Sequence, residues 1–152
     1  LGMDTWLREC LAAGTPLLGI CLGTQVIFSH SEENDTPCLG LAPGRVRRFP
    51  HGLREGERVL KIPHMGWNRV EFSRPHPVFA GLPAAEYYFV HSFYPDPADT
   101  AHILGRTEYG LRFCSALAHR NLVAVQFHPE KSGAPGLRIL ANFCRWGGAD
   151  AQ

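Results

Sequence analysis

The sequence lacks any long apolar run, any strong charge imbalance and any leader-like start. No stretch approaches the roughly 18 uncharged apolar residues of a membrane-spanning helix, so we expect no transmembrane segment. Lys and Arg total 15 against 14 Asp and Glu, so no basic field indicates nucleic acid or a membrane surface as a partner. No basic segment followed by an apolar one opens the chain. With 45% apolar residues, the 152 residues predict one folded domain.

Paired cysteines and cofactor motifs are missing too. The five cysteines show no C-x-x-C spacing, which argues against a disulfide framework or a zinc knuckle. We therefore expect free thiols, most of them buried, in a reducing cytoplasm. Because there is no Walker loop, no G-x-G-x-x-G and no H-x-x-x-H, sites for ATP, dinucleotides and helix-borne zinc are unsupported. We expect neither a cofactor nor a metal.

The apolar pattern predicts a few helices among many short strands. The run at residues 17–20 is typical of a fully buried parallel strand, and residues 23 to about 30 indicate a helix. A closing helix is predicted by an apolar stripe, formed by Leu137, Leu140, Phe143 and Cys144. Further strands, with hairpins among the first three, are predicted at 45–49, 59–62, 67–72, 86–90, 102–106, 113–118 and 123–127. This order favours an α/β layer fold with an antiparallel insertion.

The segment Gly19-Ile20-Cys21-Leu22-Gly23 has the layout of a nucleophile elbow with Cys in place of Ser. A strand leads into the thiol and a helix follows, while the flanking glycines allow the sharp turn that exposes a nucleophile. The helix N-terminus favours negative charge and is expected to lower the pKa of the Cys21 thiol. The backbone N–H of Leu22 stands where it can donate to an oxyanion. The alternative is a buried Cys at a tight strand–helix junction.

Among the eight histidines, His128 is the candidate base. It ends an apolar strand and precedes Pro129, which keeps it out of the helical region. In an extended segment residues i and i+2 point the same way, so Glu130 can accept from the imidazole Nδ1–H while the other nitrogen faces the thiol. With Cys21 this predicts a Cys–His–Glu triad. The alternative is a strand-end His beside a solvated Glu.

Two weaker signals stand between these motifs. A local basic run lacks the interleaved aromatic residues of single-strand binders, so it favours a solvated hairpin face; its members are Arg45, Arg47, Arg48, Arg54 and Arg58. Residues 63–68 bring together Met65 and Trp67, which are typical interface anchors if exposed, although a core turn fits the spacing equally well.

Taken together, these residues resemble the class I (triad) glutamine amidotransferases. Residues 19–25 resemble the nucleophile motif of that family, and His128-Pro129-Glu130 resembles its His-x-Glu. Further stretches resemble one branch, the glutaminase subunit of imidazole glycerol phosphate synthase in histidine biosynthesis; they are residues 31–33, 40–41, 63–68, 88–92 and 126–132. The similarity runs from about residue 11 to residue 143, and the Pro-His-Met-Gly-Trp-Asn run is specific to that branch.

The resemblance implies that the protein hydrolyses L-glutamine to glutamate and ammonia. Cys21 would attack the side-chain amide, His128 would carry the proton to the leaving ammonia, and Glu130 would orient the imidazole. By the same resemblance the glutamine site would be formed by Leu22, Gln25, His91 and Ser92.

The resemblance also implies a partner, a cyclase subunit built as a (β/α)₈ barrel that forms a heterodimer with the glutaminase. The cyclase uses ammonia to make imidazole glycerol phosphate and aminoimidazole carboxamide ribotide. Ammonia released to water is protonated and loses its nucleophilicity, which is the physical reason for an enclosed route between the subunits. Positions matching the family interface are Trp67, Asn68, Tyr88 and Lys131.

The chain departs from the family pattern in two places. Thr24 stands where this branch usually has Met, which is expected to change packing more than chemistry. Family members begin with a strand and a glycine-rich loop that completes the oxyanion hole, whereas this chain starts at Leu1 in the following helix. We therefore expect residues 1–152 to form an amidotransferase domain without its N-terminal part. The expected fold is an open α/β sheet flanked by helices, with an antiparallel insertion and the first strand or strands missing.

A missing oxyanion donor costs about 10²–10³ in rate, so the chain by itself is expected to be a poor glutaminase. Two alternatives stay open. One is a catalytically impaired domain that only binds the cyclase. The other is an amidotransferase that serves another synthase, against which residues 63–68 argue.

Overall fold

A computed structural model of the chain describes residues 2–149. Its α-helices are α1 (Met3–Ala12), α2 (Leu22–Val26) and α3 (Gly133–Arg145). Its strands are β1 (Leu17–Ile20), β2 (His30–Ser31), β3 (Thr36–Pro37), β4 (Gly44–Arg48), β5 (Arg54–Glu55), β6 (Arg58–Val59), β7 (His64–Arg69), β8 (Glu71–Phe72), β9 (Glu86–His91), β10 (Phe93–Pro97), β11 (Ile103–Glu108), β12 (Arg112–His119) and β13 (Leu122–Val125). Within residues 2–149, no helix has the length and apolar character needed to cross a membrane.

The central sheet is mixed and has the strand order β1-β13-β12-β11-β8. β1 runs parallel to β13, which sets Ile20 opposite Val125, while the other neighbours are antiparallel. Because β1 is an edge strand in the described part of the chain, it is half-buried, and the prediction of a fully buried strand is wrong. The parallel pairing makes the segments that follow β1 and β13 leave the sheet side by side.

Two smaller β layers form the predicted insertion, which is antiparallel except where β2 pairs in parallel with β4. One is a four-stranded sheet with the order β10-β4-β2-β3, and the other is the β7–β9 ribbon. Within residues 2–149, no two of the three predicted early runs pair with each other: β4 pairs with β10, β7 pairs with β9, and β6 pairs with β5, a strand that the sequence did not predict. β4 and β7 pair with strands that are distant in the sequence because these strands bring buried side chains such as Phe89 to the core. The arginines of β4 face solvent, with Arg45 and Arg47 at 3.6 and 3.7 Å from Asp96.

Helix α2 is shorter than the sequence predicts, since it ends at Val26 and not near residue 30. The carbonyls that a longer helix would use are taken by a returning loop: Leu39 donates to Val26 O and Leu41 donates to Ile27 O. The chain then enters β2, which pairs with β4.

Helix α3 is present, but the apolar stripe that the sequence predicts is turned partly away from the core. Leu137 is 60% exposed and Cys144 is also exposed, whereas Ile139 is fully buried. The helix turns this way because Gly136 packs directly on the Pro129 carbonyl; a Cβ at position 136 would lie 1.9 Å from that oxygen. All five cysteines are free, as the sequence predicts. Cys114 alone of them is buried, so the expectation that most of them are buried is wrong.

Candidate active site

Cys21 occupies a strained turn between β1 and α2. Its backbone has φ 49° and ψ −101°, a region that L-residues rarely adopt, and this strain is typical of a nucleophile elbow. A Cβ at Gly19 would lie 2.9 Å from Gly23 O, so the turn requires glycine at position 19. At Gly23 an added Cβ meets nothing within 4 Å. The sharp turn therefore depends on the first glycine of the motif and not on the second.

The Cys21 thiol is held between a donor and an acceptor. Its Sγ lies 3.7 Å from Gln126 Nε2, which donates to it, and 3.9 Å from the Val90 carbonyl, to which the thiol donates. Burial raises the pKa of the thiol above its ordinary value of 9.0 and outweighs the lowering by the Leu22 N–H. The expected lowering of the pKa is therefore wrong, because desolvation of the thiol is larger than the effect of the Leu22 N–H, the first backbone donor of α2.

His128 and Glu130 make the contact that the sequence predicts. His128 Nδ1 lies 2.6 Å from Glu130 Oε1, and His128 itself is extended, with φ −102° and ψ 94°. The backbone conformation that produces this contact differs from the prediction, because Glu130 lies in a 3-10 turn (Pro129–Lys131) and not in a continuing strand. His128 Nε2 is buried and has no hydrogen-bond partner within residues 2–149.

Strand β9 anchors both the thiol and the imidazole-bearing segment. The Tyr88 carbonyl accepts from His128 N at 2.9 Å, and the Val90 carbonyl accepts from the Cys21 thiol. Carbonyls two residues apart along a strand point the same way, about 7 Å from each other. The structure therefore brings Cys21 and His128 to one edge of β9. Glu130 is close enough to Cys21 to contribute to raising its pKa.

Contacts with Ser132 and with Gly136 of α3 hold the turn that carries Glu130 in place. Ser132 Oγ donates to the His128 carbonyl and accepts from Tyr88 N at 3.0 Å. Gly136 of α3 contacts Pro129 O without room for a side chain. The geometry of His128 and Glu130 is therefore set by packing of α3 and β9 as well as by their spacing in the sequence.

A cavity of about 320 Å³ opens beside the thiol. It is lined by Cys21, Leu22, Gln25, Glu33, Pro63, Val90, His91, Ser92 and Phe93. The four residues that the resemblance places at the substrate are all in this lining. Apart from Cys21 in its thiolate form, Glu33 is the one charged side chain in the lining of this cavity. In residues 2–149, no group of three or more His, Cys, Asp or Glu side chains is arranged to hold a metal ion.

Two of the lining residues are committed to bonds inside the protein. His91 Nδ1 lies 2.8 Å from the Phe93 carbonyl, and its Nε2 lies 2.9 Å from His64 Nδ1, so neither ring nitrogen is left for a ligand. Gln25 uses Nε2 to donate to Phe93 O and to Gln126 Oε1, each at 3.0 Å. Of the Gln25 amide, only Oε1 can still serve a ligand.

The residues predicted at a partner interface divide between two faces. Trp67 is 55% exposed and lies opposite Tyr88 in the β7–β9 ribbon, with ring centroids 6.1 Å apart. Lys131 is exposed at the end of the 3-10 turn. Asn68 faces the other side of β7, where its Nδ2 donates to His64 Nε2 and to Glu108 O. The Asn68 amide therefore offers no free N–H to a partner.

Thr24 has a specific role in the packing behind the elbow. Its side chain is fully buried, and its hydroxyl lies within hydrogen-bonding distance of the Gly19 and Val125 carbonyls. The hydroxyl thus links α2 to both β1 and β13. A thioether at this position could donate to neither carbonyl.

Sequence reasoning missed two residues of the site, Gln126 and Glu33. Gln126 is fully buried and donates to the Cys21 sulfur, and its position two residues before His128 is the signal that could have identified it. Glu33 lies in a run of acidic residues that gives no sign of facing the thiol. Only the short 3-10 turn after β2 brings it to the cavity.

Comparison with known proteins gives one consistent family. A family model described as "Glutamine amidotransferase class-I" matches residues 2–146. The imidazole glycerol phosphate synthase subunit HisH of Methylococcus capsulatus is 59% identical over 140 residues, a match that covers 89% of this chain and 64% of the relative. The same subunit of Aromatoleum aromaticum is 52% identical over 147 residues, covering 92% of this chain and 69% of the relative. The chain thus spans about two thirds of the length of these curated relatives.

Solved structures show the same fold at low sequence identity. A glutamine amidotransferase from Thermotoga maritima matches with a TM-score of 0.62 and 22% identity, covering 94% of this chain and 53% of that one. The PurLQS structure from the same organism matches with a TM-score of 0.70 and 13% identity, covering 94% and 67%. The predicted fold class is confirmed.

Proposed function

Because the chain belongs to the class I glutamine amidotransferase family, and within it to the branch of the imidazole glycerol phosphate synthase subunit HisH, we propose that it hydrolyses L-glutamine to glutamate and ammonia for histidine biosynthesis. One observation carries the proposal. A strained turn presents the Cys21 thiol at the wall of a cavity, and the His128–Glu130 pair is anchored to the same edge of β9.

The chemistry begins with a protonated thiol, since burial raises the pKa of Cys21. Attack of Sγ on the glutamine side-chain carbon is therefore coupled to transfer of the thiol proton to His128 Nε2. Glu130 holds Nδ1–H and stabilises the imidazolium that forms. The oxyanion of the tetrahedral intermediate faces the Leu22 N–H.

The carbon–nitrogen bond then breaks as His128 returns the proton to nitrogen, which leaves as ammonia. A glutamyl thioester on Cys21 remains. Water attacks this thioester with His128 again as base, so that glutamate is released and the thiol is regenerated.

Recognition of glutamine follows from the charge in the cavity. The substrate carries an α-ammonium group, and Glu33 supplies the carboxylate that can pair with it. Ser92 and Gln25 Oε1 offer further hydrogen-bonding atoms, while His91 contributes the backbone and shape of the wall. Leu22 closes the cavity beside the thiol.

The partner in this proposal is the cyclase subunit, a (β/α)₈ barrel, in a heterodimer. Exposed Trp67, with Tyr88 beside it and Lys131 near the His128 turn, forms the surface that the cyclase would cover. Ammonia would pass to the cyclase without entering water, which preserves its nucleophilicity. The free thiols fit a reducing compartment, and the proposal places the protein in the cytoplasm.

Glutamate release from L-glutamine, measured with and without a cyclase subunit, tests the proposal. We expect release that increases in the presence of the cyclase and disappears in Cys21→Ala. Cys144→Ala is the matched control, because that thiol is exposed and outside the cavity. Release that survives in Cys21→Ala would contradict the assignment of the nucleophile. A parent chain that releases no glutamate in either condition would contradict the proposed activity.

A further inference from the structure

A set of hydrogen-bonded polar groups leads from β7 to the Cys21 sulfur, and the proton transfers of the proposed hydrolysis do not pass through it. We call this set the amide–imidazole chain; its members are Asn68, His64, His91, the Phe93 carbonyl, Gln25 and Gln126. Neutral imidazoles and amides can hydrogen-bond in more than one sense. Here the Phe93 carbonyl, which can only accept, fixes the sense of the bonds on both sides of it.

The direction is set first at His91. The Phe93 carbonyl can only accept, so His91 Nδ1, 2.8 Å away, carries a proton. Burial lowers the pKa of His91 to about 3, so the ring is neutral and its Nε2 must accept. His64 Nδ1, 2.9 Å from that nitrogen, therefore donates.

The bond between Asn68 and His64 also has a fixed sense. Burial lowers the pKa of His64 to about 4, so its Nε2 is an acceptor for Asn68 Nδ2 at 3.2 Å. The second N–H of Asn68 donates to Glu108 O at 2.9 Å, and Oδ1 accepts from Arg69 N at 2.7 Å. The Asn68 amide cannot flip without breaking all three contacts.

On the thiol side, the Phe93 carbonyl accepts a second bond, from Gln25 Nε2 at 3.0 Å. The other N–H of Gln25 donates to Gln126 Oε1. With its oxygen held in this way, Gln126 has its Nε2 turned towards the Cys21 sulfur.

Aromatic packing keeps the two imidazoles in place. His64 is stacked between Tyr109 and Phe89, with ring centroids at 4.0 and 4.8 Å. His91 is flanked by Phe49 and Phe113 at 5.2 and 5.3 Å. Rings packed in this way have little rotational freedom, so their hydrogen bonds keep one geometry.

We propose that His64 and His91 are positioning residues for the hydrolysis: they fix the Phe93 carbonyl, which fixes the two glutamine amides so that Gln126 donates to the sulfur of Cys21. The consequence for turnover rests on the proposed function, whereas the hydrogen-bond pattern does not. A donor at the sulfur favours the thiolate, so disorder of this amide makes the nucleophile harder to form.

The first test is spectroscopic and needs no activity. In the ¹⁵N-histidine-labelled chain, His64 and His91 are both expected as neutral Nδ1–H tautomers between pH 8 and pH 5. An Nε2–H tautomer at either residue, or protonation of either near pH 6.5, would overturn the proposed pattern.

The second test follows alkylation of Cys21 with pH, read from its own peptide by mass spectrometry. His64→Leu removes both ring nitrogens, whereas His64→Asn keeps an N–H near the position of Nδ1. We expect the alkylation midpoint to move to higher pH in His64→Leu and to return towards the parent value in His64→Asn. In glutamate release, His64→Leu is expected to lower kcat about tenfold with little change in KM, which is the size of one lost hydrogen bond.

Asn142→Asp is the matched control for destabilisation. Asn142 also donates from its side-chain amide to two carbonyls, Val78 O and Ala80 O, but has no connection to the sulfur. A lower unfolding temperature is expected in both variants, and a shifted alkylation profile only in His64→Leu. A parent-like profile and kcat in His64→Leu would show that the pair is only structural. If the parent itself releases no glutamate, the proposed function fails, while the tautomers and the alkylation profile still decide this proposal.

Discussion

His128 Nδ1 lies 2.6 Å from Glu130 Oε1, while Nε2 of the same ring is buried and unbonded within residues 2–149. One side of the imidazole is therefore fixed and the other is uncommitted. In the proposed hydrolysis the base takes a proton from Cys21 and gives it to the amide nitrogen that leaves as ammonia, and it needs this asymmetry because the fixed side determines which ring nitrogen is free.

Glu130→Gln is expected to reduce glutamate release by about 10²–10⁴-fold, because an amide can donate to Nδ1 and so favour the wrong tautomer. KM for glutamine should change little, since Glu130 does not line the cavity. Glu57→Gln, in an exposed turn, is the control and should retain parent activity. Equal activity in Glu130→Gln and Glu57→Gln would contradict the assigned role.

The two glycines that flank Cys21 should respond differently to alanine. Gly19→Ala places a Cβ 2.9 Å from backbone at Gly23, so the elbow must shift; we expect loss of stability of about 1–3 kcal/mol and loss of Cys21 alkylation selectivity. Gly23→Ala meets nothing and lies in α2, so it should be neutral or stabilise by up to about 1 kcal/mol. Chemical denaturation measures both. The reverse order of stabilities would show that the turn is not the one described.

Gly136→Ala tests the packing that holds Glu130 in place. The added methyl would lie 1.9 Å from Pro129 O, so α3 or the 3-10 turn must move despite the better helix propensity of alanine. We expect lower stability and a lower kcat, because the His128–Glu130 contact is displaced. Gly147→Ala, where a Cβ meets nothing, is the control in both unfolding and glutamate release. A Gly136→Ala protein with unchanged kcat would contradict this coupling.

The pH dependence of Cys21 alkylation follows from the raised pKa of its thiol. The thiolate is the reactive form, and its raised pKa puts the midpoint of the alkylation profile above pH 9. The alkylation rate should therefore still be rising at pH 9. Cys144, which is exposed, provides an internal reference for the reagent in the same digest. A Cys21 midpoint below pH 8 would show that the local donors outweigh burial.

Acid should destabilise the fold through His91 and His64. Their pKa values in the folded protein, about 3 and about 4, lie below the ordinary 6.5, so from pH 6.5 downward the unfolded chain binds protons that the folded chain cannot. The free energy of unfolding should fall by up to about 1.4 kcal/mol per pH unit for each such proton. Denaturation at pH 7, 6 and 5 measures the slope, which His91→Asn should reduce and exposed His51→Asn should not. A flat profile between pH 7 and pH 5 would contradict the buried neutral pair.

Local sequence determined much of the site. The order strand, Cys21, helix predicts the elbow, and His128 with Glu130 predicts the Nδ1 contact, because each involves neighbours whose geometry the backbone restricts directly. The strands around these residues were predictable for the same reason. Their pairing was not, since β4 and β7 find their partners far along the chain.

Tertiary structure decided what surrounds these local elements. The sulfur of Cys21 meets Gln126, 105 residues away, and His64 meets His91, 27 residues away; no local pattern encodes either contact. The direction of the pKa shift of the Cys21 thiol shows most clearly the difference between what local sequence determines and what only the folded structure determines. The sequence supplies a helix N-terminus that favours the thiolate, but desolvation depends on every residue packed around the sulfur, and this larger effect exists only once the chain has folded.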